Sequence, residues 1–297
     1  MKKRMILDKW VMASILYVGV VVGGFSAYEE FVADEPKAVA VAAHGGSEAD
    51  HEPETAEESV DHPGGENGAS HEHESAPANE TNGVNVYVQS QNNELQIFLK
   101  DKTGNPVHDL EINHEKNFHL IVVDEHLQKY YHLHPEQIDE GVFSTATELP
   151  DGFYKAFVDI KPKDLAYYVS PVPFIVGNPS GADHTHNEGL KVDPEFTQVI
   201  DGEKVKMQLS STKINEPVTL TFDLDKTNLT PYLGAMGHVV ILDEMGENFL
   251  HVHPANDQEP IFETQFKQPG IYKIWAEFRQ NGKVRAFPFV VEIKGED

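Results

Sequence analysis

The chain contains no cysteine. That absence excludes disulfides, thiolate metal sites and lipid attachment through a cysteine, whatever the compartment. Positive charge is scarce too. There are 23 Lys and Arg against 49 Asp and Glu, a formal net charge of −26 over 297 residues. Such a surface argues against nucleic acid and anionic membrane as partners, and it attracts cations. Catalytic signatures are also wanting. No Ser-His-Asp order, nucleophile elbow or phosphate-cradling glycine loop stands out. The glycine-rich "HPGGENGAS" follows no strand. The chain is therefore read as a binding protein and not as an enzyme.

One long uncharged apolar run is present. Trp10 to Tyr28 follows the basic flank Lys2, Lys3 and Arg4. At ~1.5 Å per residue a helix there reaches ~28 Å, close to the ~30 Å of a bilayer core. The basic flank places the remainder outside the cytoplasm. Residues 1–28 are expected to form a single-pass membrane anchor. A cleavable signal peptide, with small residues at Ser26 and Ala27, is the alternative and would give a secreted protein. Residues 29–83 follow as an acidic, disordered tether, with fifteen acidic residues and one Lys between Glu29 and Glu80. Such a composition cannot bury enough apolar surface to offset chain entropy. His44, His51, His62, His71 and His73 punctuate it and suit weak cation capture beside carboxylates.

The rest is a duplication. "FHLIVVDEHLQKYYHLHP" (Phe118 to Pro135) and "GHVVILDEMGENFLHVHP" (Gly237 to Pro254) share one layout. The match of His119, His132 and His134 to His238, His251 and His253 extends to Phe143 with Phe262 and Pro150 with Pro269. After a small drift it resumes at Tyr154-Lys155 with Tyr272-Lys273. Both copies consist of short β-branched or alternating runs bounded by turn residues, which predicts all-β sandwiches. The expected boundaries are 84–177 for the first sandwich, 178–190 for a linker and 191–295 for the second.

Within each copy the repeated segment reads as two antiparallel strands, turning near Met245-Gly246 in the second and at "EHLQK" in the first. Residues two apart share a strand face. His251 and His253 therefore lie together, and His238 falls across from them on the partner strand. His119, His132 and His134 take the same places. Three imidazoles converging from strands form a ligand set for copper or zinc. Met236, two before His238, adds a thioether that favours copper, where the first copy has Asn117. Glu136, Asp257 and Glu259 lie just past the His-x-His-Pro element and are candidates for a fourth ligand or for a partner to the second ring nitrogen. The expectation is one ion per module, with affinity falling below about pH 6 as protons compete for imidazole.

"PYLGAMGHVVILDEMGENFLHVHP" and "PGIYKIWAEFRQNGKVRAFPFVVEI" resemble a family of bacterial exported proteins carrying an LGAMGH…LHVHP segment, and look related to YtkA-like exported domains. The resemblance is close over about 204–293 and weaker over 84–177, where "HEKNFHLIVVDE" replaces "LGAMGHVVILDE". It implies immunoglobulin-like β-sandwiches outside the membrane, with copper as ligand. The functional expectation is a membrane-tethered extracytoplasmic protein for capture, buffering or delivery of copper or zinc. Two alternatives stay open: an extracellular adhesion or scaffold module with structural histidines, and a cupin-like metalloenzyme. The second is disfavoured because "PGIYKIW" has no histidine where a cupin needs one.

Overall fold

The computed structural model describes residues 82–112, 116–179, 189–252, 254 and 258–295. All of them fall within one compact unit, Glu66–Asp297. The expected membrane anchor and tether lie outside the described residues. Among the described residues there is no helix, and hence none long and apolar enough to cross a membrane.

The first module runs through β1 (Val84–Gln91), β2 (Glu94–Asp101), β3 (Leu110–Glu111), β4 (Phe118–Asp124) and β5 (Tyr130–Leu133). It continues through β6 (Glu136–Asp139), β7 (Val142–Ala146), β8 (Gly152–Pro162) and β9 (Pro171–Val176). One sheet has the order β1-β2-β7-β6; in the other, β8 pairs with β4, β9 and β3, and β5 lies outside β4. The second module repeats this plan. It comprises β10 (Thr197–Ile200), β11 (Glu203–Leu209), β12 (Pro217–Leu224), β13 (Leu229–Thr230) and β14 (His238–Asp243). The last strands are β15 (Phe249–Val252), β16 (Ile261–Gln265), β17 (Gly270–Gln280) and β18 (Lys283–Ile293). Its sheets are β10-β11-β12-β16 and a five-stranded sheet in which β17 pairs with β14, β18 and β13, with β15 outside β14.

Every pairing between these strands is antiparallel, and two such sheets face each other in each module, giving two tandem immunoglobulin-like sandwiches. A tyrosine corner marks both. The Tyr154 hydroxyl donates to the Pro150 carbonyl at 2.8 Å, and the Tyr272 hydroxyl donates to the Gln268 carbonyl at 2.8 Å. Each bond ties the start of a long strand to the loop before it.

The strands β4 and β14 are buried on both faces, with only their last residue partly exposed. That is why "LIVV" and "VVIL" read as continuous apolar runs, without the apolar–polar alternation of a half-solvated strand. Phe118, Leu120 and Val122 belong to the core of the first sandwich, and Val239 and Ile241 to the core of the second. The alternate residues face outward into a third apolar cluster. There Ile121, Val123, Leu127, Phe157 and Val169 meet Val240, Leu242, Phe249 and Trp275. The two His-bearing sheets are packed against each other, and the third core lies between the modules.

Equivalent residues of the two copies occupy this contact reciprocally. Phe157 on β8 stacks on Phe249 at 5.2 Å and 13°. Its counterpart Trp275 on β17 stacks on Tyr130, the counterpart of Phe249, at 5.0 Å and 16°. This is the pattern of an isologous dimer interface, formed here inside one chain.

Candidate metal centre

Strand register decides where the histidines point. Ile121 pairs with His132 across β4 and β5, and Val240 pairs with His251 across β14 and β15. Side chains opposite one another share a face. His119 and His132 therefore emerge with Ile121, and His238 and His251 with Val240. That face is the contact between the modules, not the interior of either sandwich.

The result is one cluster built from both copies. His119, His238 and His251 are no more than 1% exposed. Four rings, those of His119, His132, His238 and His251, have all six centroid separations between 5.1 and 6.4 Å. His134 stands beside them, 5.0 Å from His119 and 4.7 Å from His132. Ligand atoms of His119, His132 and His251 lie within 4.8 Å of one another. His119 Nδ1 and His132 Nε2 are only 3.1 Å apart. A tetrahedral ion with metal–nitrogen bonds of about 2.0–2.1 Å needs ligand nitrogens about 3.3 Å apart and ring centroids about 5 Å apart. His119, His132 and His251, with centroids 5.1–5.6 Å apart, come nearest to that geometry, and His238 stands further off at 5.7–6.4 Å.

The second nitrogen of three rings is held by an acceptor. His132 Nδ1 donates to Glu277 Oε2 at 2.5 Å, and His251 Nδ1 donates to Asp159 Oδ2 at 2.7 Å. His238 Nε2 donates to the Tyr232 carbonyl at 2.9 Å. Each bond places a proton on that nitrogen and leaves the other with a lone pair that could bind a cation. The carboxylates are exchanged between modules: Asp159 of the first holds His251 of the second, and Glu277 of the second holds His132 of the first. Both are buried, Asp159 at 0% and Glu277 at 5% exposure. Burial, with further lowering by His132, depresses the pKa of His119 to about 3. Burial does the same for His134, again to about 3, with His132 next in effect. Both rings are thus neutral and ligand-competent at neutral pH.

This arrangement differs from the expectation of one ion per module. The two histidine sets face each other because their strands present them on the packed outer face. Met236 is not in the cluster; it packs against the core of the second sandwich. His238 opens β14, so Met236 precedes the strand and its alternation. Glu136 is exposed on β6, and Glu259 is exposed and pairs with Lys226 at 3.7 Å. The acids bonded to the rings among the described residues are Asp159 and Glu277. His253 and Asp257 lie outside the described residues.

A model of the family described as "Domain of unknown function (DUF8832)" matches residues 79–176 and again 197–295. The chain belongs to the DUF8832 family. No curated protein matches it in sequence. Among solved structures, it is similar to a tetra-tandem repeat from the extending region of a large adhesion protein, with 8% identity and a TM-score of 0.23 over 72% of this chain. It spans 50% of that repeat's length. It is also similar to a two-domain fibronectin type III segment of chicken tenascin, with 10% identity, a TM-score of 0.22, and coverage of 71% of this chain and 99% of that one. A third similarity is to the Escherichia coli adhesin FdeC, with 13% identity, a TM-score of 0.21, and coverage of 74% and 67%. The matched family is DUF8832, and these comparisons give no support to the likeness to YtkA-like domains drawn from the LGAMGH…LHVHP and PGIYKIW segments.

Each DUF8832 repeat carries a signal for its carboxylate. "KAFVDIK" and "KIWAEFR" place a single acid at the same point of an otherwise apolar strand. A charge in a strand buried on both faces requires a partner. The register supplies the adjacent position, with His119 opposite Asp159 and His238 opposite Glu277.

Proposed function

We propose that this DUF8832 protein binds a transition-metal cation, copper or zinc, at a single centre shared by its two modules. It would act outside the cytoplasm in capture, buffering or delivery. One observation carries the reading: imidazoles from two modules converge, with ligand atoms of His119, His132 and His251 within 4.8 Å of one another and His238 beside them, and buried carboxylates hold two of the rings. Imidazole is the ligand these metals share, and a hydrogen-bonded acceptor on the distal nitrogen is the usual companion of a ligating histidine. Were His238 to complete the set, the centre would be closed, which suits holding an ion over catalysis on it. The apolar run Trp10–Tyr28 supports a membrane tether, and the acidic, histidine-rich stretch after it supports weak ion collection near the centre.

The decisive experiment is metal titration of the stripped full-length protein in detergent. The expected result is one tight Zn2+ or Cu2+ per chain, above weaker binding by the histidine-rich stretch. His132→Ala with His251→Ala lowers tight affinity by at least about 100-fold. Two tight ions per chain, each surviving loss of the other module's histidines, would restore the picture of separate sites.

A second reading is favoured by the third apolar cluster, which joins the modules without any ion. Under it the chain is an extracellular scaffold or adhesion module, and the histidine–carboxylate pairs are interface locks. Full-length protein that takes up no tight ion supports that reading.

A further inference from the structure

Five described histidines meet at the centre, and four of them are carried by strands. His119 lies on β4, His132 on β5, His238 on β14 and His251 on β15. Each pairs across its ladder with a residue of the neighbouring strand. His119, His238 and His251 are no more than 1% exposed, and so is the His132 side chain. Moving any of these rings outward requires parting paired strands or packed modules.

His134 differs in both respects. β5 ends at Leu133 and β6 begins at Glu136, so His134 stands outside the ladders, on the short connection between them. It is partly exposed. Yet its Nε2 is buried and has no hydrogen-bond partner among the described residues. The ring thus reaches solvent on one side and keeps an unpaired nitrogen on its inner side, with the His119 and His132 rings 5.0 and 4.7 Å away. A buried polar atom without a partner costs free energy until something pairs with it. A cation passing to or from His119, His132 and His251 is such a partner.

We propose that His134 is the exchange ligand of the shared centre: it takes a cation from solvent, passes it to His119 and His132, and receives it again on release. This role, which rests on the metal-binding reading above, concerns the rate of exchange and not the identity of the ion. An ion enclosed by fixed ligands exchanges slowly, because one bond must break before another forms or the coordination number must rise. A further imidazole at the rim supplies the new bond before the old one is lost. The number of protein–metal bonds is then kept through the step, and the ion keeps its charge. A segment free of the ladders can turn between the two ends of that step while the strands stay paired. Entry and exit by one route also share one barrier, so His134 sets both rates and leaves their ratio nearly unchanged.

The test is stopped-flow transfer of Zn2+ from loaded full-length protein in detergent to an excess of chromogenic chelator, together with Zn2+ uptake by the stripped protein. Ions held weakly by the histidine-rich stretch leave in the fast phase, and the slow phase reads the centre. His134→Ala should slow release and uptake alike, each by at least about tenfold, or about 1.4 kcal/mol on the barrier. Its dissociation constant should stay within about threefold of wild type. Free imidazole added to the variant should restore part of both rates. His134→Gln, similar in bulk but without an imidazole nitrogen, is read in the same way should the alanine variant not fold. Faster release with correspondingly weaker affinity would make His134 an ordinary ligand. Faster release and faster uptake together would make it a plug, and unchanged rates a bystander. Each of these three outcomes overturns the exchange role. Wild-type protein that holds no Zn2+ tightly would instead sink the binding reading beneath it.

Discussion

At the residue scale the centre is defined by proton placement. His119 and His134 are held neutral by burial, each with a pKa near 3 against an ordinary value of 6.5. In the metal-free protein the folded state therefore binds fewer protons than the unfolded chain between those limits. Stability is complete above about pH 6.5 and is lost as pH falls toward about 3, because the unfolded chain takes up the protons that the folded one refuses. Urea denaturation of EDTA-treated protein should show its midpoint dropping between about pH 7 and about pH 4.5. A midpoint that is flat or rises on acidification would contradict neutral buried rings. The ion, if bound, acts in the same direction: it competes with protons for the same nitrogens, so metal stabilisation also fades on acidification.

The same scale shows how one turn was solved twice. Gly246 and Leu127 hold equivalent places in the β14–β15 and β4–β5 turns, with φ of 61° and 54°. Glycine adopts this left-handed conformation without strain, whereas leucine there costs about 1–2 kcal/mol. Leu127 is nonetheless 2% exposed and packed in the cluster between the modules. Burying its side chain contributes about 1.5–3 kcal/mol, which offsets the backbone cost.

At the scale of the element, β14 is placed by the glycine that precedes it. A Cβ on Gly237 would lie 2.6 Å from the Phe278 ring and 2.7 Å from the Glu277 carbonyl oxygen. Gly237→Ala should therefore push the start of β14 off β17, destabilise the protein by about 1–3 kcal/mol, and weaken Zn2+ binding by displacing His238 from Glu277. Thermal melts and metal titration check both effects. An alanine variant with wild-type stability and affinity would show that the strands approach less closely. Much of this element was legible in the sequence: the turn near Gly246, the alternation of His251 with its neighbours, and the sharing of a face by His238 all follow from period-two geometry. The face itself was not legible as an interface. Residues 92 and 145 positions apart supply the two His–carboxylate bonds, and no local pattern encodes such separations. The signal that existed was indirect. "LIVV" and "VVIL" are apolar at every position, and a strand apolar on both sides must be covered on both sides. The lone acids in "FVDI" and "WAEF" were the matching clue. Met236 misled because counting by twos holds only inside a strand, and β14 begins at His238.

At the scale of the whole molecule, the two sandwiches should behave as one folding unit. Their contact contains stacked aromatic pairs, two buried His–carboxylate bonds, and Lys155 of the first module, whose Nζ donates to the Met245 carbonyl at 2.7 Å and pairs with Glu247 at 2.6 Å. Interfaces this apolar couple neighbouring domains, whereas tandem modules joined only by a linker unfold independently. Metal-free protein is thus expected to melt in a single transition. Trp275 is the residue to remove, because it is 3% exposed and spends that burial on the cluster between the modules, against Tyr130. Trp275→Ala should cost about 3–5 kcal/mol and split the melt into two transitions, since each sandwich keeps its own core. Zn2+ should then draw the two transitions back together, because an ion that ligates both modules binds only the docked state and stabilises it by mass action, by about 2.7 kcal/mol at one hundred times its dissociation constant. Differential scanning calorimetry with and without Zn2+ reads all three outcomes. A variant that melts once at lower temperature would place Trp275 in the shared core of a single domain, and two transitions unmoved by Zn2+ would mean that the ion does not bridge the modules.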